Sequence, residues 1–224
     1  EGCRSNLARV RDPALRAALT PDYEVGCKRL IMAEGFYEAI QQPNAHLVTL
    51  PIDRFETKGI RTSDGRLHEL DLVFLATGFD PHAPYGEARI EGADGLSLAT
   101  AWEKGAVAYK QVMTAGFPNW FMIGGPGSPI GNFSFLLTAE TQMGYIMQLI
   151  AMIVAREANA IDVKRSAQEA FNVARLERMK DTVWESGCTT WYRDKNGNVP
   201  FWPWNFTKFT SDMAQPDFDH YQIY

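Results

Sequence analysis

Apolar positions along this chain change their spacing several times, and each change marks an element. Over residues 1–20, Leu7, Val10, Leu15 and Leu19 recur at roughly helical spacing among charges, and Asp12-Pro13 is a favourable helix opening. An exposed helical connector is expected there. Pro21 to Leu30 reads as a loop entering a short strand, and Glu34 to Ile40 as a short helix ended near Pro43. From His46 to Ala76 the runs become short and alternating, broken by the turn pairs Lys58-Gly59 and Asp64-Gly65, which predicts a β-meander. Next comes Asp71 to Pro81, where Leu72, Val73, Phe74 and Leu75 stand in an unbroken apolar row before Ala76, Thr77 and Gly78. That row predicts a strand buried on both faces, and the small residues after it would let a flat ligand approach bare main chain.

Phe79 to Gly116 is rich in glycine and proline, with isolated apolar anchors at Ile90, Leu96, Leu98, Trp102 and Tyr109, so a long surface excursion with one short helix is expected. Trp120-Phe121-Met122-Ile123 predicts a second apolar strand, followed by a turn over Gly124 to Gly131 and a helix from about Asn132 to Arg156. That helix is apolar on nearly every face. A membrane span is disfavoured by Asn132, Thr138, Glu140, Gln142 and Gln148 within it, so a helix buried inside the protein is expected. Ser166-Ala167-Gln168-Glu169 has the form of a capping box opening a helix to about Ser186, with Gly187 as its stop. The remaining tail carries Trp191, Tyr192, Phe201, Trp202, Trp204, Phe206 and Phe209 among turn residues, and is expected to wrap over the main body.

At 224 residues with 46% apolar content the chain can bury a core. A net charge of −5 without a basic run argues against nucleic acid and against an acidic membrane surface as partners. Cys3, Cys27 and Cys188 are odd in number and lack paired spacing, which predicts reduced thiols and a cytoplasmic setting. His46, His68, His82 and His220 stand singly, so no metal site is expected. Asn132-Phe133-Ser134 and Asn205-Phe206-Thr207 match the glycosylation pattern by chance on this reading. Glu1 stands first instead of Met, and a fragment or trimmed chain is expected.

Four motifs in order point to one chemistry. They are Gly26-Cys27-Lys28-Arg29, Asp71 with Ala76-Thr77-Gly78-Phe79, Gly116-Phe117-Pro118-Asn119-Trp120 running on to Gly124-Gly125-Pro126-Gly127-Ser128-Pro129, and Gly187-Cys188-Thr189-Thr190-Trp191-Tyr192 followed by Asn196-Gly197. Together they resemble the C-terminal half of class B flavoprotein monooxygenases, the group of Baeyer–Villiger and flavin-containing monooxygenases. The resemblance implies an α/β architecture: the C-terminal part of a two-dinucleotide-binding-domain flavoprotein, with a β-meander, a buried strand-turn-helix unit and an aromatic wrapping tail. Residues 1–45 would be a connector and the end of the NADP-binding domain, and 46–224 the C-terminal part of the FAD-binding domain.

The same resemblance implies site roles. Arg29 would stand beside the flavin and stabilise negative charge on oxygen, a role suited to a guanidinium that stays protonated. Lys28 would contact the phosphate side of NADPH, and Trp191 would lie over the nicotinamide cofactor. Ala76, Thr77 and Gly78, with Gly125, Pro126, Ile130, Gly131 and Phe135, would shape the cofactor edge and the pocket. No Gly-x-Gly-x-x-Gly fingerprint occurs in the chain, so the grip on FAD pyrophosphate is expected in a missing N-terminal half, without which turnover is not expected. The implied reaction is FAD- and NADPH-dependent insertion of one oxygen atom of O2 into a ketone through a flavin C4a-peroxide, giving an ester or lactone. The alternatives are a flavin-containing monooxygenase oxidising nitrogen or sulfur, and a non-catalytic module that binds a protein through its aromatic tail.

Overall fold

The computed structural model describes residues 2–78, 88–129, 131, 133–187, 189–194 and 196–224. Phe79 to Pro81, Ile130, Asn132 and Cys188 therefore lie outside the described residues. Two compact units are present, Glu1–Tyr23 with Ile31–Asp80, and Glu24–Leu30 with Pro81–Tyr224.

In the first unit, α1 (Gly2–Leu7) and α2 (Pro13–Leu19) carry the helical spacing of the N-terminus. Asp12 opens α2 from an extended conformation, its carboxylate accepting from the Leu15 amide at 2.7 Å, while Pro13 takes a position whose amide would have been orphaned anyway. A third, single-turn helix, α3 (Phe36–Ala39), is tied back by Gln41, which accepts from Arg11 N–H at 2.8 Å and donates to the Tyr37 carbonyl at 2.6 Å. Strands β1 (Ile52–Glu56), β2 (Gly59–Thr62) and β3 (Leu67–Glu69) form an antiparallel sheet in chain order, with Phe55 opposite Ile60 and Ile60 opposite His68. Gly59 is required there, because a Cβ would fall 1.9 Å from the His68 carbonyl oxygen.

Two expectations for this stretch of chain are corrected. Residues 24–30 form no strand; Cys27 N–H closes a turn onto the Glu24 carbonyl at 3.1 Å. Residues 71–78 form no strand either, and the row expected in a core is exposed, Phe74 to 85%. A strand needs a neighbour for its amides and carbonyls, and no described strand pairs with this one.

In the second unit, α4 (Leu98–Ala101) is capped by Ser97, α5 (Phe135–Val154) by Ser134 and α7 (Phe206–Asp212) by Asn205. Between α5 and α7 lie β4 (Ile161–Val163) and α6 (Arg165–Met179). The last strand, β5 (Tyr221–Ile223), pairs antiparallel with β4, Val163 opposite Tyr221. The core gathers Tyr109, Val112, Met113, Tyr145, Leu149, Ile161, Trp202, Phe209 and Tyr221.

Residues 108–115, expected on the surface, belong to this core. Burial of irregular main chain is tolerable because α6 supplies the missing ladder: Ala115 N–H donates to Gln168 Oε1 at 2.8 Å and Asn172 Nδ2 donates to the Ala108 carbonyl at 3.0 Å. Trp120–Ile123 is not a strand, although Met122 N–H reaches the Val112 carbonyl at 2.8 Å. Lys164, and not Ser166, occupies the N-cap position of α6, without a side-chain cap, because β4 runs directly into the helix and puts Ser166 inside the first turn. It stops at Met179, where Thr182 Oγ donates back to the Met179 carbonyl at 2.7 Å, well short of Ser186. No helix of the described residues is long and apolar enough to cross a membrane. Cys27 is disulfide-bonded, which corrects the expectation of reduced thiols; an odd cysteine count leaves room for one bridge.

Candidate functional site

The aromatic tail builds a compact cluster at its centre. Trp184 and Tyr192 meet edge to face with centroids 6.4 Å apart, Trp184 and Phe201 at 5.6 Å, and Tyr192 and Phe201 at 4.6 Å. With Met179 and Val199 these rings form a second buried cluster, distinct from the main core. Edge-to-face rings add about 0.5–1.5 kcal/mol per pair beyond area burial, so the cluster is a packed platform. Arg193 braces its rim by pairing with Glu185 at 3.1 Å and donating to the Gly197 carbonyl at 2.6 Å.

Three of the segments singled out in the sequence end on this platform. Residues 24–30 pack onto it at Gly26, whose Cβ position lies 3.6 Å from Val183, a neighbour of the cluster. Arg29 gives a main-chain hydrogen bond to the Tyr192 hydroxyl, and its positive charge acts on the same group. Burial raises the Tyr192 pKa, and Arg29 partly offsets the rise through both charge and amide. Trp191 stands next to Tyr192, centroids 4.4 Å apart, and its indole is 55% exposed while Tyr192 is buried. From the other side, Gly131 approaches Phe201 and Trp184, its Cβ position 3.7 and 3.8 Å from the two rings. Arg29 is exposed, Lys28 half-buried, and Phe135 half-exposed with its ring over Gly124.

The turn itself rests on buried polar groups. Gly124 N–H donates to Gln142 Oε1 at 2.8 Å, and Gln142 Nε2 donates to Ser128 Oγ at 3.0 Å. Gly125 is buried flush against residue 111: a Cβ would fall 2.3 Å from the Gln111 carbonyl oxygen. Gly127 takes φ +92° and donates to the Pro200 carbonyl at 3.0 Å. Arg175, 4% exposed, gives Nη1 to the carbonyls of Val199 at 2.9 Å and Phe201 at 3.3 Å. Burial lowers its pKa to about 10, against the opposing pull of Asp194.

Arg29, Lys28, Trp191, Gly125, Pro126, Gly131 and Phe135 all belong to the second unit, whereas Ala76, Thr77 and Gly78 belong to the first, where they are exposed. Sequence reading did not single out Tyr192, Trp184 and Phe201 as the floor, nor Gln111 and Arg175 as the support of the turn. The only signal for the latter was a polar stripe at Gln168, Asn172 and Arg175, spaced to share one face of α6. A surface cavity of about 320 Å³ between Ile90–Ala93 and the side chains of Phe117 and Trp120 contains none of these residues.

No protein-family model matches the chain. It is 44% identical over 221 residues to an uncharacterized monooxygenase of Mycobacterium tuberculosis, spanning 99% of this chain and 45% of that protein. A Baeyer–Villiger monooxygenase of Streptomyces coelicolor is 36% identical over 224 residues, 98% of this chain and 43% of that protein. Among solved structures, a cyclohexanone monooxygenase from Rhodococcus sp. Phi1 bound to NADP+ superposes with a TM-score of 0.84 at 29% identity, over 98% of this chain and 43% of that one. The chain thus spans less than half the length of the curated relatives it matches. Four motifs in family order, and likeness in sequence and backbone along nearly the whole of this chain, match it to the C-terminal part of the class B flavoprotein monooxygenases.

Proposed function

We propose that the chain forms the C-terminal portion of an FAD- and NADPH-dependent Baeyer–Villiger monooxygenase that converts a ketone and O2 to an ester or lactone. The observation that carries this reading is the convergence of Arg29, Trp191 and Gly131 on the single Trp184–Tyr192–Phe201 platform. An exposed Arg29 and an exposed indole on one support, with half-buried Lys28 next to Arg29 in the chain, suit a pyridine nucleotide, which presents phosphate charge beside flat rings. Relatives named as FAD-binding monooxygenases agree with a second, flavin cofactor. When bound, NADPH would supply the hydride and FAD the oxygen-activating chemistry.

In that setting Arg29 holds positive charge at the reaction centre and stabilises negative charge on oxygen. Lys28 and Trp191 hold the nicotinamide nucleotide. The turn from Gly125 through Pro126 to Gly131, with Ile130 and Phe135, would line the pocket, and Ala76, Thr77 and Gly78 would offer bare backbone to the cofactor edge. The N-terminal half of the enzyme is the partner that would supply the pyrophosphate grip and much of the substrate pocket. The domain assignment, residues 1–45 to the NADP side and 46–224 to the FAD side, belongs to the same proposal.

The test uses protein that includes the upstream half. Replacing Arg29 by Ala is expected to cut ester formation about a hundred- to a thousandfold while flavin absorbance is retained. Undiminished ester formation overturns the assignment. Offering a ketone and a thioether to the parent enzyme separates ester formation from sulfur oxygenation, and a colourless purified protein would point instead to a non-catalytic module.

A further inference from the structure

Arg175 is a cation 4% exposed, and among the described residues it makes no ion pair. Burying an unpaired guanidinium is costly, so a helix that needed only to pack would be better served by an apolar side chain of similar length. What the guanidinium gains here is geometric. Val199, Pro200 and Phe201 present three successive carbonyls, and all three are held: the outer two by Arg175 Nη1, the middle one by Gly127 N–H. Gly127 belongs to the glycine turn, and Phe201 belongs to the aromatic platform under Tyr192 and Trp191. The stem of Arg175 also touches the turn, its Cδ 3.5 Å from the Gly127 Cβ position.

Beneath the same turn the structure is strained and under-bonded. Lys110 and Gln111 both take left-handed conformations, φ 45° and 63°, and among the described residues neither amide atom of the fully buried Gln111 side chain has a hydrogen-bond partner. Gln111 Cγ lies 3.3 Å from the Gly127 Cβ position. A floor of that kind keeps one arrangement only when its surroundings over-determine it.

We propose that Arg175 is a positioning residue: by fixing the carbonyls on either side of Pro200 while Gly127 takes the one between, it holds the glycine turn and the Tyr192–Trp191 platform in one register. The consequence for the reaction rests on the cofactor-binding reading above, since the two parts so joined are the ones assigned to the cofactors.

The experiment uses full-length, FAD-loaded enzyme carrying Arg175→Met, Arg175→Lys, Gly127→Ala, or Arg175→Met with Gly127→Ala. Three quantities are read: the Kd for NADP+ from flavin absorbance, the hydrogen peroxide released per NADPH consumed, and hydrogen exchange over residues 124–131. Arg175→Met keeps the stem without donors and is expected to raise Kd about tenfold, increase the peroxide fraction, and lose protection of the Gly127 amide. Lysine, with donors enough for both carbonyls, is expected to recover Kd to within about threefold. The double variant is expected to be no worse than the poorer single one, because the strain a Cβ brings at φ +92° loosens the same tie that Arg175→Met deprives of its donors. Parental Kd and peroxide fraction in Arg175→Met, or losses that multiply in the double variant, overturn the proposal. Should Arg175→Met fail to fold, Arg175→Lys and Gly127→Ala carry the same comparison. A parent enzyme that holds FAD but not NADP+ would sink the cofactor reading alone, and in that case unchanged protection of the Gly127 amide in the Arg175 variants still overturns the tie.

Discussion

At the scale of single residues, the informative positions are those where burial conflicts with chemistry. Asp162 in β4 is 5% exposed, and its Oδ2 accepts from Gly116 N–H at 2.9 Å. Burial raises its pKa above the usual carboxylate range, against the amides of Gly116, Val163 and Phe117, which pull it down. The folded state therefore binds a proton more readily than the unfolded chain, and this group costs stability in full above its raised pKa. The cost is relieved as pH falls through that value toward the ordinary carboxylate range. Relative to Asp162→Asn, which has no such titration, the parent should gain in melting temperature as the pH falls from neutrality toward the ordinary carboxylate range. A constant difference across that range, by calorimetry, would contradict the assignment. Gly125 poses a steric conflict instead: Gly125→Ala drives a Cβ against the Gln111 carbonyl oxygen, which is backbone and cannot rotate away. Its cost should be about 3 kcal/mol in denaturant unfolding. Of these residues the sequence made Gly125 legible, through its motif, but not Asp162, since an isolated acid looks the same buried or solvated until its neighbours are known.

Helix α5 and its neighbours show what can be read from periodicity and what cannot. Its existence and its apolar character follow from the residues, but it opens at Phe135 behind a Ser134 cap that the sequence reading did not single out, and the expectation of a helix buried inside the protein does not hold for all of its faces. Leu149 is fully buried while Leu136, Met143, Met147 and Val154 form an exposed stripe. Leu149→Ala should accordingly cost about 3 kcal/mol in this chain, and Met147→Ala less than about 0.5 kcal/mol, by the same unfolding measurement. Equal costs would mean that the stripe is covered. Pattern reading failed in the opposite direction at α6, whose inner face carries Gln168, Asn172 and Arg175. Those polar groups are inside because residues 108–115 and 199–201 are buried without ladders of their own, and hydropathy alone cannot anticipate a helix that serves as a hydrogen-bonding partner. The Leu72–Leu75 row was read as a buried strand for the complementary reason: local sequence reports what a segment could bury, not whether a partner strand is present.

For the molecule as a whole, both units display apolar surface that a self-sufficient domain would cover. In one it is the row Leu72, Val73, Phe74, Leu75; in the other it is the α5 stripe from Leu136 to Val154. Continuous patches of this sort mark interaction surfaces or sites of self-association. Under the proposed function both are where the N-terminal half of the enzyme would dock, in keeping with a chain that spans 43% of its Baeyer–Villiger relative from Streptomyces coelicolor. The 224-residue chain expressed alone should therefore bind a hydrophobic dye such as anilinonaphthalene sulfonate and self-associate at micromolar concentration. The full-length enzyme should do neither, and Leu72→Lys with Met147→Lys should suppress both behaviours in the isolated chain. Charge at those positions should in turn weaken assembly with an N-terminal half supplied as a separate polypeptide, read as lost flavin retention on a sizing column. An isolated chain that stays monomeric and dye-silent, or lysine variants that assemble and hold flavin as well as the parent, would mean that these rows face solvent in the working enzyme and that its halves meet elsewhere.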